Sequence, residues 1–296
     1  MNANPRPLTI VLMLTLGLLS VSVASIFIKM CDAPSLVIAA WRLTIASTFY
    51  VIFTRIKVGP IWSYLQPAQK KIAVISGLFL TLHFATWITS LKYTSVASSV
   101  VLVQSAPMFV AIGSAVFLRE KPNLMMVVGI IITLIGSVLI NIDGFTGDKN
   151  SLLGNLLAIG GAIGAAGYML AGRRLRAHID TFRYVTIVYL IAAVLLLMMA
   201  IGSGNSLIGY SSATYLLFIA IAVFPQIIGH TVINWSLKIF SATTVSIIIL
   251  AEPILASFLA FLILAERFST MQAIGASIIL VGVVIVLVGE SKQASV

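Results

Sequence analysis

The chain has 296 residues, of which 60% are hydrophobic and 9% charged, and its mean hydropathy is +1.13. Soluble domains carry about 25% charged residues, so composition excludes a soluble globular protein and points to a polytopic membrane protein. The formal charge of +10 would suggest nucleic acid in a soluble chain. Here the basic residues lie in short segments between apolar runs, where they set orientation, and no nucleic-acid partner is expected. The single cysteine, Cys31, excludes an internal disulfide and a CxxC metal pair.

A membrane-spanning helix needs about 20 mainly apolar residues. Ten such runs follow one another: Leu8–Met30, Leu36–Phe53, Ile72–Leu91, Ser95–Leu118, Leu124–Ile140, Leu152–Ala171, Phe182–Ile201, Ala213–Trp235, Ser241–Leu264 and Met271–Val288. The first lacks a signal-peptide cleavage pattern and is long enough to remain a span. All connections are short, the longest being Thr54–Lys71 with Pro60 and Pro67. With the N-terminus in the cytoplasm, thirteen Lys and Arg fall in inside segments and four (Lys29, Lys92, Lys149, Arg267) in outside ones, leaving Arg42 within a span. The positive-inside rule then puts both termini in the cytoplasm.

The stretch Ser90–Gly136 is repeated 146 positions later, as Ser236–Gly282. Without a gap, Ser90, Leu91, Lys92, Ser95, Pro107, Glu120, Gly129 and Gly136 fall on Ser236, Leu237, Lys238, Ser241, Pro253, Glu266, Gly275 and Gly282. Each half holds five spans, an odd number, so two consecutive copies enter the membrane from opposite sides. The expected fold is an all-α membrane protein of ten helices in two inverted five-helix repeats: residues 1–141, residues 152–288 and a short cytoplasmic tail, 289–296. The turn-rich stretch Asn141–Ser151 joins them. Inverted repeats underlie alternating access in many secondary transporters.

On these residues the chain resembles the drug/metabolite transporter superfamily, in its EamA-like branch. The resemblance rests on ten short spans in two halves and on the ends of the fourth and ninth spans. These read Pro107 with Leu118–Glu120, and Glu252–Pro253 with Leu264–Glu266. The openings SLKYTSVASS and SLKIFSATTVS and the glycine-spaced fifth and tenth spans fit too. The resemblance implies a central cavity between the halves, lined chiefly by spans one to four and six to nine, with spans five and ten at the periphery. It also implies an inner (plasma) membrane location and export of metabolites.

Ionisable groups inside a bilayer are costly, so the intramembrane polar residues are the site candidates. Glu252 lies mid-span before Pro253, which removes the backbone donor that would meet the carbonyl of Ile249. It is a candidate proton-coupling carboxylate or partner for a substrate amine; its counterpart is Ala106, with Gln104 nearby. Pro107 and Pro253 mark helix breaks. His83 and Trp87 share one helical face, and Gln226, His230 and Asn234 form a second stripe expected to face the cavity. Arg42, beside Trp41, is placed to meet Glu252 or a substrate carboxylate, with a snorkelling arginine as the plainer reading. Lys29 is expected to anchor at the interface. The glycines of the sixth span (Gly160, Gly164, Gly167) favour close helix packing. Gly129/Gly136 and Gly275/Gly282 mark a second packing seam, within the chain or as a homodimer face.

The sequence holds no HExxH, no GxSxG and no phosphate loop. The expected protein is therefore not an enzyme, and it needs no metal or cofactor. It is a secondary transporter of a small organic solute, such as an amino acid or amine, with an ion or solute gradient as its drive. A membrane enzyme, a haem protein using His83 and His230, and a non-transporting scaffold are the alternatives.

Overall fold

The computed structural model describes residues 6–62, 65–94, 96–140, 142, 151–255, 258–259 and 269–294. The described residues are helical, with no strand. In hydrocarbon a helix satisfies its own backbone groups, which is why such apolar runs form helices and not open sheets. The helices are α1 (Pro7–Ser22), α2 (Ala24–Met30), α3 (Ser35–Lys57), α4 (Pro67–Ser90), α5 (Val96–Val103), α6 (Ala106–Gly113) and α7 (Leu124–Ile140). They continue with α8 (Ser151–Arg176), α9 (Thr181–Gly202), α10 (Ser212–Ile221), α11 (Thr231–Ser236), α12 (Ala242–Ile249) and α13 (Thr270–Ala294).

Among the described residues, eight helical segments are long and apolar enough to cross a bilayer. Two shorter apolar helices, Leu124–Leu139 and Ala242–Leu255, fall where the fifth and ninth spans are expected. Most of the joining stretch, and the Leu264–Glu266 end of the ninth run with Lys149 and Arg267, lie outside the described residues. The expected tail begins as helix, since α13 runs on to Ala294.

The helices are not all continuous, and their interruptions shape the centre. α5 stops at Val103 and α6 starts at Ala106; 146 positions later, α12 stops at Ile249 and helix resumes at residue 252. Both breaks precede a proline, Pro107 or Pro253, whose ring excludes the preceding carbonyl bond. Between α10 and α11 the backbone widens into a π-helical turn, Ala222–His230, containing Pro225.

Packing follows the small residues. A Cβ on Gly136 would lie 2.7 Å from the carbonyl oxygen of Gly275, so α7 and α13 approach backbone to backbone, and that seam is internal to the chain. On α8, a Cβ on Gly164 would lie 2.5 Å from the amide nitrogen of His83. The sixth-span glycines thus hold α4 close and fix His83 and Trp87 in place. α3 packs on α9, α1 packs on the π-helical turn, and α8 packs more extensively on α4. Large apolar side chains such as Leu12, Ile112, Ile131 and Val284 remain exposed on the outside, as a lipid-facing surface requires.

Candidate functional site

A cavity of about 620 Å³ lies among these interrupted helices. α1 and α2 contribute Val21, Ser25 and Lys29; α3 contributes Arg42; α4 contributes His83 and Trp87. The two breaks bring Gln104 and Pro107 from one half, and Leu250, Glu252 and Pro253 from the other. Tyr168, His230 and Ser246 line its deep end, while Lys29, Met30 and Gln272 lie at the other, where Met30 is 58% exposed.

Arg42 is 1% exposed despite its charge. Its Nε donates to Gln226 Oε1 at 2.7 Å, and its guanidinium carbon sits 4.2 Å from the centre of the Phe84 ring. That is a cation–π contact in a desolvated setting. Glu252 lines the same cavity but makes no ion pair with Arg42, unlike Arg173 with Glu120 and Arg183 with Asp180. His83 Nδ1 lies 2.9 Å from the carbonyl oxygen of Gly161, so Nδ1 carries the proton and Nε2 of the neutral ring is the acceptor. The His83 and Trp87 rings stack at 5.6 Å, 9° from parallel. Gln104 at the first break accepts a hydrogen bond from Ser137 Oγ on α7. Ser22 on α1 donates to the carbonyl of Glu252 at the second break, 3.2 Å away.

Of the residues singled out in the sequence, Arg42, His83, Trp87, Gln104, His230, Glu252, Pro107 and Pro253 line the cavity, whereas Trp41, Gln226 and Asn234 do not. Trp41 turns about 100° away from Arg42 on the same helix. Its Nε1 donates to the carbonyl of Leu207, and its ring stacks on Phe218. The stripe Gln226–His230–Asn234 is split because the π-helical turn widens the helix and rotates four-spaced residues off one face. Gln226 points at Arg42, His230 at the cavity, and Asn234 at the tyrosines, donating through Nδ2 to Tyr168 and, at 3.3 Å, to Tyr189 Oη.

Three other features depart from expectation or escaped it. Lys29 sits at the cavity mouth, and so does Gln272 of α13, a helix expected to stay peripheral. Phe84 beneath the guanidinium carries no signal in the sequence, because an apolar residue in an apolar run is distinguished only by what it touches. Among the described residues no three His, Cys, Asp or Glu side chains are grouped to hold a metal ion.

At the opposite end the helices bond to one another. The last helical turn before the Lys121 loop ends on Arg119 in the left-handed region (φ 60°), which turns Glu120 back toward the bundle. There Arg173 Nε donates to Glu120 Oε1 at 3.0 Å and Nη1 to the carbonyl of Leu237 at 2.9 Å. Asn123 donates to the carbonyl of Gly289, Gln293 to that of Lys121, and Thr243 to Ser114 Oγ.

A helical multi-pass membrane protein with a mainly apolar cavity that carries a few buried polar side chains at its interrupted helices is the class these features define. The EamA-like transporter family matches the chain over residues 8–142 and 152–288, and the chain belongs to that family, within the drug/metabolite transporter superfamily. It is similar to the uncharacterized transporter YetK of Bacillus subtilis (strain 168), at 29% identity over 215 residues, covering 68% of this chain. That match spans 62% of the length of YetK. An uncharacterized transporter of Archaeoglobus fulgidus is 23% identical over 94% of this chain and 98% of its own length. A crystal structure shares the fold with a TM-score of 0.81 at 19% identity, covering 97% of this chain and 99% of the other.

Proposed function

We propose that this protein is a secondary-active transporter that moves a small organic metabolite, such as an amino acid or amine, by alternating access between two inverted five-helix halves. The observation that carries this reading is the cavity itself. It sets a few polar side chains, Arg42, His83, Gln104, His230 and Glu252 among them, in a mainly apolar wall. It contains residues of both halves, reaches one end of the bundle and is bridged by hydrogen bonds at the other. Paired proline breaks at corresponding positions flank it, and such breaks are where transporters of this design bind solute and ions. The family match in two segments agrees with two copies of one plan. The pairing of the first span with the eighth (α1 on the π-helical turn) and of the sixth with the third (α8 on α4) is what ten spans related by a two-fold axis in the membrane plane would give. The family suggests the inner (plasma) membrane, and the Lys and Arg distribution supports both termini being cytoplasmic, so that the cavity faces outside in this state. Export is the direction that the family suggests.

Glu252 is the proposed coupling carboxylate: a single acid in a cavity, unpaired and able to exchange a proton for a solute. The test is uptake and counterflow of labelled metabolites in proteoliposomes, with and without an imposed pH gradient. Wild-type protein is expected to accumulate solute under the gradient, and Glu252→Gln to retain counterflow while losing pH-driven accumulation. Gradient-driven uptake by the variant equal to wild type removes the coupling role.

A further inference from the structure

The transport reading leaves amino acids and amines both open, and the cavity wall separates them. Arg42 is a buried cation whose Nε is satisfied by Gln226 and whose ring face is covered by Phe84, yet its Nη1 has no hydrogen-bond partner. Two further cavity-lining residues are in the same condition: Trp87 Nε1 and His230 Nδ1 are buried without partners. Trp87 is 8% exposed, and its indole nitrogen is a donor only. Native proteins satisfy the large majority of buried polar groups, so a cluster of unsatisfied ones around a cavity points to a ligand that satisfies them.

The sign of that ligand follows from the donors. A guanidinium and an indole N–H offer protons and no lone pair, so they match an anion, and the planar guanidinium matches a carboxylate best. Glu252 does not take that place, since it makes no ion pair with Arg42. A solute bearing one carboxylate and one ammonium would answer Arg42 and Glu252 together. A dianionic phosphate would bring a second negative charge toward Glu252. The remaining wall, including Val100, Val103 and Ile249, is apolar and suits an organic side chain.

We infer that the transported solute must carry a carboxylate, held by Arg42 with Trp87 and His230 alongside, so that the substrate class is α-amino acids and small monocarboxylates and excludes simple amines. This rests on the transporter reading. Closure of the cavity around the solute brings the unsatisfied donors onto the carboxylate.

The test uses the full-length protein in nanodiscs, with thermal stabilisation and binding measured for the natural α-amino acids and short monocarboxylates. Each amino acid is compared with its amide and its decarboxylated amine. At least one carboxylate-bearing compound is expected to bind, with its amide and amine weaker by roughly tenfold to a hundredfold, the scale of a lost charged hydrogen bond. Arg42→Lys is expected to shrink the acid-to-amide ratio. Trp87→Phe, which keeps the ring and removes the N–H, is expected to reduce it less. Amides or amines binding as tightly as the acids overturn the inference, and so does a ratio unchanged in both variants. Failure of every carboxylate-bearing compound to bind overturns it too. The transport reading stands or falls separately, on whether cysteines at the two ends of the bundle exchange accessibility.

Discussion

At the end of the bundle that carries Lys29, Met30 and Gln272, the cavity reaches the surface. At the end that carries Arg173 and Glu120, side chains from the two sequence halves bond to each other. Four bonds cross between the halves there: Arg173–Glu120, Asn123 to Gly289, Gln293 to Lys121 and Thr243 to Ser114. The ion pair is about one-third exposed, with side-chain exposures of 27% and 34%. Pairs so exposed contribute about 0.2–1 kcal/mol each, and a neutral hydrogen bond contributes about 1 kcal/mol. Together the four reach a few kcal/mol, the size of gap that alternating access as proposed requires between its states. Two of the four, Asn123 to Gly289 and Gln293 to Lys121, continue the close α7–α13 seam. The difference between the ends teaches that what sets this end apart is a pair of weak polar links, Arg173–Glu120 and Thr243–Ser114, laid over close packing that runs through the bundle.

The largest expected effect comes from attacking that core. Gly164→Leu would drive a side chain into the backbone of His83, where even a Cβ would be 2.5 Å from the amide nitrogen. We expect loss of folded protein, seen as aggregation on size-exclusion chromatography of the solubilised variant. Overpacking costs about 1–3 kcal/mol where neighbours can shift, and backbone cannot shift far. A monodisperse variant of wild-type thermal stability would show that the α4–α8 approach is looser than described.

A smaller effect is expected from Arg173→Ala, which removes two bonds at the closed end, to Glu120 and to Leu237. It should shift the population between states several-fold without unfolding the protein. Cysteines placed at Thr243 and at Ser246 report this with a membrane-impermeant thiol reagent. Labelling at Thr243 should rise and labelling at Ser246, in the cavity, should fall. A uniform rise at both sites would mean that the ends are not coupled.

The smallest effect concerns Cys31, just beyond α2 at the open end. Burial first, and the nearby Asp32 second, push its thiol up to about 11. Only the thiolate reacts, so at neutral pH wild-type protein should label slowly, at a rate rising about tenfold per pH unit from 7 to 10. Rapid labelling at pH 7 would show that the open end is more exposed than the buried position of Cys31 indicates.

Much of this was legible in the chain. Composition alone places the protein in a membrane, because 9% charged residues cannot cover a water-facing surface. The 146-residue repeat locates both helix breaks, since a proline acts on its own turn wherever that turn lies, and Pro107 and Pro253 do so in matching positions. The sixth-span glycines announce close packing for a similarly local reason: a missing side chain admits a neighbouring backbone. Arg42 and Glu252 stand out because a charge inside an apolar run is costly in any fold.

The tertiary structure decided which polar residues meet. Gln226 and Asn234 are parted from His230 by a π-helical turn, which depends on how the segment around Pro225 packs and not on four-residue spacing. Trp41 and Arg42 are neighbours in sequence that face different surroundings. Phe84 acquires its role from a guanidinium that arrives from another helix. The sequence encodes what each turn of helix is able to do by itself. Partnership between turns, and hence the unsatisfied donors along the cavity wall, exists only once distant helices are packed, because hydrogen bonds and cation–π contacts act over a few ångströms of space and take no account of separation along the chain.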